Sequence, residues 1–218
     1  INFSFGKLGD ILSISVWTMV QNFFSISTWF IFFLCVEHLG ERALAVSNVV
    51  RSISGFIWVF VSAFSSTCSS LVSNLIGEGH QDSVTGLIIR VIKLTYIPVT
   101  VLLVAFALFP EVVIGIYTDI PGIVEESVSS LWVLCLSYLM TTPALICFNA
   151  ISGTGNTKTA FGLEMIVLLL YTAFCIFIIN GLKPPVWVAW FTESLYALIM
   201  LILSATYLRS GKWKGRSI

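Results

Sequence analysis

Polar residues along this chain are sparse, and where they occur they fall in files of helical spacing inside long apolar runs. The run from Ala43 to Gly79, ALAVSNVVRSISGFIWVFVSAFSSTCSSLVSNLIGEG, shows this most fully. Asn48, Ser52, Gly55, Val59, Ser62, Ser66, Ser69 and Ser73 recur in steps of four and three, which keeps one edge of an α-helix in register. At about 1.5 Å per residue such a helix is roughly 50 Å long, more than the ~30 Å hydrocarbon core of a bilayer. Six apolar segments of spanning length are expected in all, near 11–36, 43–76, 84–109, 123–151, 160–181 and 186–208. The connections EHLGER, GEGHQDS, PEVVIGIYTDIPG, SGTGNTK and NGLKPP are short and carry glycine, proline and charge. Short links make successive spans antiparallel neighbours in a bundle. No ten-residue alternation of a membrane β-barrel is present.

The serine file has two readings. Small residues let helices approach closely and hydroxyls bond across the contact, or the file lines a polar cavity. A second polar edge follows in the first span, where Thr18, Gln21, Ser25 and Thr28 share a face with Asn22 beside them. Glutamine and asparagine near midspan are costly without partners or water, so this edge either bonds to another helix or faces a substrate cavity. In the fourth span Pro143, after two threonines, removes one intrahelical bond and is a candidate hinge. Asn149 precedes Gly153-Thr154-Gly155 much as Asn74 precedes Gly77-Glu78-Gly79. Glycine permits the left-handed residue that ends a helix, so Gly77, Gly79, Gly153 and Gly155 are candidate turn residues, and their recurrence hints at an internal repeat.

Two acids lie inside apolar spans. Glu193, about seven residues into the last one, has Trp190 and Tyr196 as helical neighbours. An ionisable group at that depth faces the bundle interior, donates a structural hydrogen bond, or marks an ion or proton path. Glu164 sits about a turn inside its span, near Lys158, where the helix N-terminus favours an anion. Arg51 can snorkel to the interface, and His38 and His80 stand alone in loops.

Composition confirms the class. The chain is 57% hydrophobic and 10% charged, with mean hydropathy +0.99, values that point to a polytopic all-α membrane protein. Zero net charge without a basic stripe excludes nucleic acid as a partner. The five cysteines are widely spaced in apolar surroundings, so neither a disulfide framework nor a metal site is expected. No HExxH, GxSxG or Walker loop occurs, and an enzyme is the weakest class. The first residue is Ile1 with no leader, which leads to the expectation of a fragment or trimmed product. Lys7, Arg90, Lys93, Lys158, Arg209, Lys212, Lys214 and Arg216 fall on the side of both termini, against Arg42, Arg51 and Lys183 opposite. That bias makes both termini cytoplasmic and 209–218 a basic tail able to touch anionic lipid.

The stretches SSLVSNLIGEGHQDSV and NAISGTGNTKTAF resemble the two cytoplasmic signatures of the multidrug and toxic compound extrusion (MATE) transporters. Their order, with six spans and the basic tail, is similar to the C-terminal half of such a protein. The resemblance implies one lobe of a twelve-helix secondary antiporter. It would export amphipathic, cationic compounds in exchange for H+ or Na+, with no other cofactor, from a bacterial inner membrane. The partners it implies are the missing N-terminal six-helix lobe, membrane lipid and a small-molecule substrate. Thr18, Gln21, Asn22, Ser25, Asn48, Ser52, Ser62, Asn149, Trp190 and Tyr196 then become candidates for lining the cavity. Glu193 and Glu164 become candidates for cation coupling. Acids that some members carry inside the first, second or fourth helix of this lobe are absent, since Glu37, Glu125 and Glu126 lie at span ends. Coupling therefore rests on Glu193 and Glu164 or, as favoured here, in the missing lobe. A lipid-linked saccharide flippase and a non-transporting scaffold are the alternatives. The first fits poorly with so few intramembrane cations, and the second has no need of the buried polar residues.

Overall fold

The computed structural model describes residues 5–214, without the side chains of residues 5–11, 13 and 14. Lys7, Arg216 and residues 215–218 of the basic tail therefore lie outside the described side chains. Every regular element among the described residues is helical: α1 Phe5–Glu37, α2 Glu41–Gly77, α3 Val84–Leu108, α4 Pro110–Gly115, α5 Pro121–Gly153, α6 Thr157–Phe174, α7 Val186–Ala189 and α8 Phe191–Arg209. Six helical stretches are long and apolar enough to cross a membrane, near the six expected places. The chain is an integral multi-pass membrane protein.

Three departures from the expected pattern have physical causes. The link PEVVIGIYTDIPG is not simply a loop, because Pro110, pre-set for a first helical turn, starts α4 and buries Ile114 completely. The fifth span ends in a π-helical segment, Cys175–Asn180, where the backbone is wider than in α6. The last span is broken at Trp190. There the Glu193 amide bonds the Trp190 carbonyl at 3.2 Å, three residues back, and the Thr192 hydroxyl takes the Ala189 carbonyl at 2.7 Å.

The turn glycines divide into two kinds. Gly79 (φ 80°) and Gly155 (φ 77°) adopt the left-handed conformation as expected. At Gly79 the amides of Gly79 and His80 return to the carbonyls of Ile76 and Leu75, closing α2 with a paired-bond cap. Gly77 and Gly153 are the last residues of α2 and α5, directly before those turns. Gly153 is there for proximity: a Cβ added to it would lie 2.4 Å from the Ser69 carbonyl oxygen. The Ser73 hydroxyl donates to the Gly153 carbonyl at 2.8 Å across the same contact.

Around α5, the most enclosed span, the other helices are arranged. It packs against α2 through a core that includes Val46, Val50, Ile53, Ile57, Leu131 and Leu134, and the buried Tyr138 hydroxyl donates to the Ser54 carbonyl at 3.1 Å. Since lipid is as apolar as these side chains, packing contacts and interhelical hydrogen bonds hold the helices together, rather than transfer from water. Pro143 lies within a continuous α5, and the carbonyl it leaves unpaired, that of Leu139, accepts the Tyr96 hydroxyl from α3. At the opposite end from the Gly153 contact, Arg42 clamps the start of α5, donating to the Gly122 carbonyl and the Glu126 carboxylate, each at 2.9 Å. Large apolar side chains such as Phe23, Ile26, Phe30, Val101, Leu169 and Phe177 face outward, as a lipid-facing surface requires.

Gly153→Ala is expected to lower stability by about 1–3 kcal/mol, because a backbone carbonyl must move. Gly55→Ala, with nothing within 4 Å of the added carbon, leaves stability unchanged or raises it by up to about 1 kcal/mol. Thermal unfolding of both variants in detergent compares the two sites directly.

Candidate functional site

Two polar groupings stand out, one on the outside of the bundle and one inside it. The outer one is the serine file of α2. Its core-facing side is Val46, Val50, Ile53, Ile57, Val61, Ser65, Cys68, Val72 and Ile76, and the file occupies a different edge. Ser52, Gly55, Val59 and Ser66 are exposed, and Asn48, Ser62, Ser69 and Ser73 are partly buried. Only the end of the file, at Ser69 and Ser73, meets another helix closely, at Gly153. Elsewhere its hydroxyls turn back on their own helix: Ser52 donates to the Asn48 carbonyl at 2.9 Å and Ser62 to that of Val59 at 3.1 Å. Helix packing within the bundle therefore accounts for one end of the file and leaves the rest facing outward.

The inner grouping lies where α1, α6 and α8 meet. The Tyr171 hydroxyl of α6 donates to Glu193 Oε1 at 2.7 Å, and Trp29 of α1 lies within electrostatic range of the same carboxyl. Glu193 is in the first turn of α8, immediately after the break at Trp190, where the positive end of the helix dipole favours a carboxylate. Tyr196, one turn on, packs edge-on against Tyr171 with ring centroids 5.9 Å apart and lies within electrostatic range of both glutamates. Glu164, 4% exposed, accepts a hydrogen bond at Oε1 from the Ser25 hydroxyl of α1. Its Oε2 is buried and has no hydrogen-bond partner. Tyr171 is seven residues beyond Glu164 on the same helix, which separates the two levels by about 10 Å.

The candidate residues thus scatter. Ser25, Glu164, Glu193 and Tyr196 come together inside the bundle, whereas Asn48, Ser52 and Ser62 share the outward edge of α2. Thr18 and Asn22 are exposed on α1, and Gln21 is partly buried. Asn149 turns its amide to the Leu145 carbonyl of its own helix at 3.0 Å. Trp190 is corrected as a cavity-lining residue: 1% exposed, it packs edge-on against Phe32 and donates to the Ser47 hydroxyl at 3.3 Å. Tyr171 was not singled out from the sequence. Its seven-residue spacing from Glu164, two turns on one face, was the available signal.

The family model MatE matches residues 18–177. The chain belongs to the MatE family. In MatE terms the matched region runs from the polar edge of α1 into the π-helical segment, so it includes the serine file, Glu164 and Tyr171 but not Glu193. A solved MOP superfamily transporter from Pyrococcus furiosus superposes with a TM-score of 0.81 at 15% identity, covering 91% of this chain and 44% of that one. This chain thus spans less than half the length of that structure. No curated protein matches the sequence.

Tyr171→Phe is expected to lower stability by about 1 kcal/mol, the scale of one interhelical hydrogen bond in a membrane protein. Thermal unfolding in detergent reads the effect, with Tyr117→Phe, at an exposed site, as the unaffected comparison.

Proposed function

We propose that this MatE chain is one lobe of a secondary antiporter that exports amphipathic, cationic compounds in exchange for H+ or Na+. One observation carries the reading: an otherwise apolar bundle turns a file of small and polar residues outward over much of α2. Lipid is a poor neighbour for such a file, whereas water and a polar substrate between two lobes are good ones. The known transporter whose fold it shares, more than twice as long, supports a second lobe opposite this face. Asn48, Ser52 and Ser62 then line the cavity, with Thr18, Gln21 and Asn22 as further candidates. The main cation site is assigned to the second lobe, with Glu193 and Glu164 as the candidate contributors from this one. The basic excess at the terminal side supports a cytoplasmic position for both termini; the setting assigned is a bacterial inner membrane, with lipid around the outward apolar surface.

Cysteines placed on the file test this in the full-length protein. Ser52→Cys and Ser62→Cys are expected to react with a membrane-impermeant thiol reagent and to be protected by a bound cationic substrate such as ethidium. Ile57→Cys, on the buried edge, is expected to stay unreactive. Equal, unprotected reactivity at all three positions, or none at any, would remove the cavity from this face.

A further inference from the structure

We infer that Glu164, and not Glu193, is the carboxyl of this lobe that takes up and releases a proton as the transporter cycles. The inference rests on the antiport reading and deepens it by naming the ion and the atom. The two acids are satisfied in opposite ways. Glu193 accepts the Tyr171 hydroxyl, has Trp29 of α1 within electrostatic range, and sits at the amide end of α8, with neither carboxyl oxygen buried and unpartnered. Its carboxyl joins α6 to the start of α8, and holding the broken span in place is a sufficient role for it.

Glu164 has one donor, Ser25 at Oε1, and a buried Oε2 with no hydrogen-bond partner. A buried carboxyl oxygen left unmatched is expensive in a low-dielectric interior, and binding a single proton removes the charge. A hard metal cation needs several oxygens around it. The helical neighbours of Glu164, namely Ala160, Phe161, Val167 and Leu168, offer none from their side chains. The α5 residues of the adjoining cluster, Ala144, Phe148 and Ile151, are equally apolar. Of the charged and titratable groups on the elements packed against it, Tyr196 of α8 lies within electrostatic range of Glu164 and of Glu193, Tyr171 is two turns along α6, and Lys158 holds its ammonium over the Trp17 ring of α1 at 5.7 Å. Ser25 of α1 adds a hydroxyl but no charge. The step is one proton binding at Oε2 to give the neutral acid while Ser25 continues to donate to Oε1. Release of that proton restores the carboxylate.

The test is infrared difference spectroscopy of the full-length protein in lipid across a pH titration, with ethidium transport in vesicles measured beside it. Among the protonated-carboxyl bands of the wild type, one is expected to be lost in Glu164→Gln and retained in Glu193→Gln. Transport driven by a pH gradient is expected to be lost in Glu164→Gln. Should that variant fail to fold, Ser25→Ala serves instead, since removing the donor to Oε1 shifts the band. A spectrum that loses no band in Glu164→Gln, loses the same band in Glu193→Gln, or ignores Ser25→Ala overturns the inference. Transport driven by sodium alone also overturns it while leaving antiport intact. A titrating Glu164 band in a protein that moves no compound under either gradient sinks the antiport reading instead.

Discussion

A polar group inside a bilayer has no water to fall back on, and most of this structure follows from where each such group finds its partner. Backbone groups are satisfied by making every described element a helix. Exceptions are met locally. Pro143 leaves the Leu139 carbonyl free, and Tyr96 supplies a hydroxyl from the next helix. The break at Trp190 leaves the Ala189 carbonyl free, and Thr192 closes it. Tyr138, Ser73 and Tyr171 carry the same logic between helices, each joining two spans by one hydrogen bond.

Under that constraint, the two polar groupings differ in kind. The acids of α6 and α8 are drawn inward, where Ser25, Trp29 and the tyrosines meet them. The α2 file is left outward, with Ser52 and Ser62 bonded to their own backbone. Side chains satisfied in this way can stand beside water or substrate without holding a neighbouring helix. The close contact at Gly153 then fixes one end of α2 against α5, and the Arg42 clamp fixes the start of α5 at the other. A helix held at its ends and along one edge presents its remaining edge as a stable surface.

Much of this was legible in the sequence because membrane helices are written plainly: long apolar runs, glycines at the turns, and polar files at steps of three and four. The file on α2 was visible from Asn48 to Ser73, yet sequence alone left open whether it packed or faced a cavity. That depends on which edge the other helices take, which only the buried set from Val46 to Ile76 reveals. Gly153 read as a turn residue because its neighbours form one, while its close partner, Ser69, is far away in sequence. Trp190 read as cavity-lining from its place beside Glu193, but the break in the span turns it into the core against Phe32. Neither the break nor the π-helical segment leaves a proline or glycine signature within it, so periodicity ran through both.

Whether the outward edge of α2 faces a second lobe across a polar cleft is decided by a structure of the full-length protein in a lipid nanodisc at side-chain resolution. The account predicts a second six-helix body opposite this lobe, with Asn48, Ser52 and Ser62 bordering a water-filled space between the two. Lipid acyl chains lying along that file, or another helix packed tightly over it, would contradict the account.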